Sequence, residues 1–162
     1  MNDFTLKTCC FTGHRKIPPE QYDLIQGQLE DALVSLIHEG YRYFGAGGAL
    51  GFDTMAACTV LKLRNTYPWI RLILVLPCRN QAARWTAFEQ QRYERIKQQA
   101  DKVVYASDHY TSDCMFVRNR HLVDCSSVCI CYLTRSTGGT AYTVQYAKKK
   151  NLKIIHLLID QK

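Results

Sequence analysis

Short apolar runs of strand type alternate along this chain with longer segments of helical rhythm, and few architectures accept that alternation. The strand-like runs are Leu6–Phe11, Tyr41–Gly45, Ile70–Leu76, Lys102–Ala106, Val128–Leu133 and Leu152–Ile159. Between them, Gln21–His38, Phe52–Arg64, Thr86–Ala100, Cys114–Cys125 and Ala141–Lys150 read as helices. Ile25, Leu29, Leu33, Leu36 and Ile37 repeat close to the i, i+4 interval, with Pro18-Pro19 ahead of them and Gly40 behind as a stop. On the polar helix Thr86–Ala100, the inward residues are expected to be Phe88, Tyr93 and Ile96. Such a pattern predicts an α/β fold, with a mainly parallel sheet covered by helices on both faces and right-handed crossovers. At 162 residues, with no repeat or low-complexity linker, residues 1–162 are read as one domain.

Three glycine-bearing segments each follow a strand-like run: Thr12-Gly13-His14-Arg15, Gly45-Ala46-Gly47-Gly48-Ala49-Leu50-Gly51 and Ser136-Thr137-Gly138-Gly139-Thr140. In a parallel sheet, the loops that follow strands all emerge at the carboxyl edge, so these segments are expected to converge on one crevice. Glycine lets backbone N–H groups approach a ligand, and each following helix turns its positive end to the same place. The expected ligand carries phosphate. The second segment is neither a G-x-G-x-x-G fingerprint nor a P-loop, so it is read as a glycine-rich turn opening a helix.

Within these loops Arg15 is suited to grip phosphate through paired hydrogen bonds. His14 is read as a hydrogen-bonding support in preference to an acid or base, because the sequence shows no carboxylate to orient it. Asp53 is either a helix-capping carboxylate or a partner for ribose hydroxyls. Thr140 is either a helix cap or part of an anion nest with Gly138 and Gly139. Ser136 and Thr137 lack a G-x-S-x-G elbow and are not read as nucleophiles. Trp85 is the better candidate for stacking on a base, while Trp69 is expected to pack.

The net charge of +7 favours anionic partners without choosing among them. Lys148-Lys149-Lys150 is read as the end of a helix, where cations complement exposed carbonyls. The eight cysteines are read as small core hydrophobes in a reducing compartment. Cys125, Cys129 and Cys131 lack a Cys-x-x-Cys pair, so no metal site and no cofactor is expected. No apolar run reaches the ~20 residues that span a bilayer, and the N-terminus does not read as a signal peptide. The expected location is the cytoplasm, with no membrane partner.

Taken together, the motifs resemble one bacterial family. Thr12-Gly13-His14-Arg15, Gly47-Gly48-Ala49-Leu50-Gly51-Phe52-Asp53, Arg118-Asn119-Arg120 with Val123-Asp124, and Gly138-Gly139-Thr140 with Tyr142-Thr143-Val144 occur in the order found there. So does Tyr146-Ala147-Lys148-Lys149-Lys150, and the chain is identified as similar to the YpsA-like proteins of the SLOG superfamily. The resemblance implies a Rossmann-like, doubly wound fold binding a nucleotide or nucleotide-derived small molecule, as a sensor or processing module. It also implies self-association. The implied ligand contacts are Thr12, Gly13, His14, Arg15, Gly47, Gly48, Gly51, Asp53, Arg118, Asn119, Gly138, Gly139 and Thr140. A rival reading comes from related lonely-guy type phosphoribohydrolases, which cleave the N-glycosidic bond of a nucleotide. Arg118 falls at their catalytic arginine, but Thr143 stands where their glutamate would be, so whether the chain is an enzyme stays open. A third reading, single-stranded nucleic-acid binding, comes from the related Smf/DprA proteins. It is ranked last, because the aromatics are scattered through segments expected to pack.

Overall fold

The computed structural model describes residues 2–158. Its strands are β1 (Thr8–Gly13), β2 (Tyr43–Ala46), β3 (Arg71–Leu76), β4 (Lys102–Tyr105), β5 (Val128–Tyr132) and β6 (Lys153–His156). Its helices are α1 (Asp3–Leu6), α2 (Pro19–His38), α3 (Phe52–Arg64), α4 (Ala87–Gln99), α5 (Cys114–Asp124) and α6 (Gly139–Lys149). The strands form one parallel sheet in the order β4-β3-β2-β1-β5-β6. This is the Rossmann-like, doubly wound arrangement, with its direction of winding reversing between β1 and β5.

Side-chain alternation along the strands divides the interior into two cores. Cys9 and Phe11 of β1, with Val128, Ile130 and Tyr132 of β5, join the larger core beneath α2, α3 and α4. Cys10, Cys129 and Cys131 point the other way, into the core with Leu122 and Val123 of α5 and Val144 and Ala147 of α6. The strand cysteines thus fill space as small apolar groups, and all eight cysteines are free thiols. β5 is buried along its whole length, whereas the edge strands β4 and β6 are only partly covered.

The first strand starts later than its apolar pattern suggests, because Asp3–Leu6 forms a helical turn capped by Asn2, whose Oδ1 accepts the Thr5 N–H at 2.8 Å. α4 opens with a capping box in which Thr86 and Glu89 satisfy each other's backbone N–H groups. Tyr93 and Ile96 of α4 face the core as expected, but Phe88 is 65% exposed. Trp69 is likewise exposed, stacked edge-on against Tyr67, and does not pack into the core. The closing strand is shorter than its expected span, and Ile159 lies outside the described residues. Among the described residues, no helix is long and apolar enough to cross a membrane.

One glycine locks the junction that places the site. Gly51, at φ +77°, caps α3, and a Cβ there would collide with the backbone carbonyl of Arg15. The next amide, Phe52 N–H, donates to His14 O at 3.1 Å, so the loop after β1 lies directly on the start of α3. Gly27 differs: it is exposed within α2, with open space where a Cβ would stand. Gly51→Ala is expected to destabilise the fold by at least about 2 kcal/mol, and Gly27→Ala to stabilise it by about 0.5–1 kcal/mol. Thermal and denaturant unfolding of both variants checks the opposite signs.

Candidate functional site

At the carboxyl edge of the sheet, where β1 and β5 diverge, lies an open cavity of about 640 Å³. Thr12 to Lys16, at the end of β1 and just beyond it, form one wall, and Tyr132, Thr134 and Arg135 around the end of β5 form the opposite one. The first residues of α6, Gly139 and Thr140, close one end. Met115, Arg118 and Asn119 of α5, with Ala49 and Asp53 at the start of α3, form the floor.

The floor is held by a buried charge cluster. Arg118 is 5% exposed and Asp53 7% exposed. Arg118 Nη1 donates to the carbonyl of Gly47, and its Nε donates to Asn119 Oδ1 at 2.6 Å. Asp53 Oδ2 accepts from Ala49 N–H at 3.2 Å. A Cβ on Gly47 would lie 2.5 Å from Arg118 Nη1 and 2.8 Å from Asp53 Oδ2, so both polar heads crowd over this residue. Burial pushes the Asp53 carboxyl above the usual carboxylate range, against the pull of Arg118, the Ala49 N–H and Arg15. Burial likewise lowers the Arg118 guanidinium, with Asp53 opposing it.

His14 joins the two walls. Thr134 N–H donates to its Nε2 at 2.9 Å, which requires a neutral ring protonated on Nδ1. The Arg135 guanidinium stands beside that ring, with Nη2 3.3 Å from Nδ1. Burial and this cation hold His14 below the ordinary histidine range. An imidazolium here would lose the Thr134 bond and face Arg135. The geometry is that of a neutral support, and the ring also meets Tyr132 edge-on.

The rim has the opposite character. Arg15, Lys16 and Arg135 are exposed, and none of the ion pairs among the described residues includes them. Gly138 caps α6 without a side-chain hydrogen bond, so Thr140 is not the cap that it could have been. The first helical amide to bond is Tyr142 N–H, to Gly138 O at 3.0 Å. The amides of Gly139, Thr140 and Ala141 meet no acceptor among the described residues, and they carry the positive end of the helix dipole. At α3 the corresponding end already holds the Asp53 carboxylate.

Thr12, Gly13, His14, Arg15, Asp53, Arg118, Asn119, Gly139 and Thr140 all line this cavity. Gly47, Gly48, Gly51 and Gly138 do not. Gly47 and Gly51 stand behind the wall, where other groups approach their backbones too closely for a side chain. Gly48 borders a separate small hollow beside Trp85, which packs edge-on against Tyr93 at 5.2 Å and is not in the cavity. Lys16, Met115, Tyr132, Thr134 and Arg135 line the cavity without having been singled out from the sequence. Arg135 had a readable signal, since it follows β5 closely, as Arg15 follows β1.

A family model described as the YspA SLOG family matches residues 10–160, and the chain belongs to that family. A UPF0398 protein of Halalkalibacterium halodurans is 29% identical over 129 residues, covering 78% of this chain and 68% of that protein. The SPbeta prophage-derived protein YoqJ of Bacillus subtilis is 28% identical over 143 residues, covering 77% and 83%. Among solved structures, DNA processing protein A from Helicobacter pylori, described with its single-stranded DNA binding mode, superposes with a TM-score of 0.65 at 18% identity. DNA processing protein A of Streptococcus pneumoniae gives a TM-score of 0.69 at 14% identity. These cover 95% and 97% of this chain, which spans 66% and 53% of those proteins, and the likeness establishes the fold.

The depressed His14 pKa sets a sign for pH dependence. As pH falls, the unfolded chain takes up this proton first, so the contribution of His14 is fully present above about pH 6.5 and is lost on acidification through its folded pKa. Unfolding at pH 7.5 and 5.5 is expected to show a smaller loss in His14→Gln, whose amide oxygen can accept the Thr134 N–H without titrating.

Proposed function

We propose that the chain binds a nucleotide-type ligand in the β1–β5 cavity, with phosphate at the rim and sugar over the floor. The observation that carries this reading is the row of unbonded amides at the start of α6, opening onto a cavity rimmed by Arg15, Lys16 and Arg135. Helix amides and guanidinium groups together suit a dianionic phosphate. Asp53 and Asn119 offer acceptors to ribose hydroxyls, and the negative charge of Asp53 keeps phosphate away from that side. Gly139 and Thr140 supply backbone contacts, while His14 and Arg118 hold the walls and floor in place. Membership of the SLOG family and the position of the cavity at the switch point support the same assignment.

Cleavage of a glycosidic bond draws less support. Thr143 is buried, and its Oγ1 donates to Gly139 O at 2.9 Å, so it brings no negative charge to an oxocarbenium-like transition state. Single-stranded nucleic acid is the second reading, favoured by the shared fold with DNA processing protein A and by the same basic rim.

Calorimetric titration with adenosine, AMP and the other nucleoside monophosphates tests the assignment. A monophosphate is expected to bind more tightly than its nucleoside, and Arg15→Ala to weaken the monophosphate by about tenfold or more while sparing the nucleoside. Equal weakening of both ligands would remove Arg15 from phosphate contact, and failure of every monophosphate to bind would overturn the assignment.

A further inference from the structure

The face formed by α5 and α6 carries two aromatic rings that the cores do not use, Phe116 and Tyr142, and the half-buried ring of Tyr146, one side of which packs against the second core. Phe116 and Tyr142 are 39% and 38% exposed, and their rings meet edge-on with centroids 4.9 Å apart. Arg120 Nη1 donates to Tyr142 Oη at 3.0 Å, one turn beyond Phe116. One turn beyond Tyr142, the phenol of Tyr146 donates to Asp124 Oδ1 at 2.8 Å, which occupies the nearby carboxylate. Lys150 Nζ then stands 5.4 Å from the Tyr146 ring centre. The i, i+4 spacing of 116 and 120 on α5, and of 142 and 146 on α6 with Lys150 at its C-cap, sets rings and cations along one face. Tyr142, Tyr146, Lys148 and Lys149 also border an open hollow of about 720 Å³.

This stripe begins at the cavity mouth. Met115 and Asn119 line the cavity from the turn of α5 that carries Phe116. Gly139 and Thr140 line it from the start of the helix that carries Tyr142. Rings alternating with cations along a groove suit stacked bases joined by a charged backbone. A second copy of the chain fits less well, because a two-fold contact through this face would bring two copies of the same basic patch together.

We propose that the α5–α6 face is a track for single-stranded nucleic acid, with bases stacking on Phe116, Tyr142 and Tyr146 and phosphates meeting Arg120, Lys148, Lys149 and Lys150. The track rests on the nucleotide reading of the cavity only for where the strand ends.

The test is fluorescence anisotropy with a 5′-labelled dT15, alongside calorimetry with a nucleoside monophosphate. Tyr142→Ala is expected to weaken dT15 binding by about 5- to 100-fold while leaving monophosphate binding unchanged, and Tyr142→Phe to keep the affinity. Changing Lys148, Lys149 and Lys150 together to Ala is expected to make the salt dependence shallower, by about 0.7 in log–log slope per lost phosphate contact. Undiminished dT15 affinity in Tyr142→Ala overturns the track, as does the absence of dT15 binding by a protein that binds monophosphate. Sedimentation showing a dimer that Tyr142→Ala dissolves would overturn it in favour of self-association. Binding of dT15 that Tyr142→Ala weakens, without monophosphate binding, would support the track and count against the cavity reading alone.

Discussion

The arrangement of the cavity depends on one buried cation. A guanidinium removed from water needs compensating charge and dipoles close by, and Arg118 finds them on separate parts of the chain. The carbonyl of Gly47 comes from the loop after β2, the Asp53 carboxylate from α3, and the Asn119 oxygen from α5 itself. The cluster therefore ties α5 to the loop that leads into α3, a helix on the opposite face of the sheet. Gly47 must be glycine for the polar heads to close over it. Arg118 and Asp53 make no direct ion pair; their opposite charges act across the Gly47 backbone, each easing the burial of the other.

Satisfying the floor fixes the polarity of the site. Asp53 occupies the positive end of α3, the place where a phosphate would otherwise be attracted. Anion attraction is displaced to the rim, where α6 begins without a side-chain cap and Arg15 and Arg135 face solvent from the two walls. His14 keeps that wall at a fixed distance by accepting the Thr134 amide, a role open only to its neutral form. A molecule with phosphate at one end and hydroxyls at the other matches this division, whereas a uniformly charged one would meet Asp53.

The fold class was legible because alternating apolar periods are local and survive into the structure, as the buried Val128–Tyr132 strand and the Ile25–Ile37 stripe demonstrate. Strand order was not, since crossover direction leaves no mark on a single segment. Nine candidate residues meet in one cavity because they sit just beyond strand ends or on the facing helix. In the loop after β2, Gly47, Gly48 and Gly51 lie off the cavity while Ala49 lines it. Glycine is required wherever backbone is approached closely, and sequence does not say whether the visitor is ligand or protein. At Gly51 the visitor is the Arg15 carbonyl, and at Gly47 it is the Arg118 guanidinium. Phe88 and Trp69 show the converse limit, large apolar residues that the fold leaves outside.

The same logic separates holding a nucleotide from breaking it. A glycosidic bond needs negative charge near the developing cation, and the relevant turn of α6 presents Thr143 bonded back into its own helix. Asp53 is the carboxylate that reaches the cavity, but Arg118 and the Ala49 amide already engage it. Its charge is spent on the floor's own balance, and leaving that arrangement to stabilise a transition state would uncover the buried guanidinium. On the nucleotide reading, the acid that steadies the floor offers its remaining acceptor to the sugar, while the donors at the rim meet the phosphate. The outer face of α5 and α6 keeps two rings, Phe116 and Tyr142, and a set of cations that neither the cores nor the cavity use.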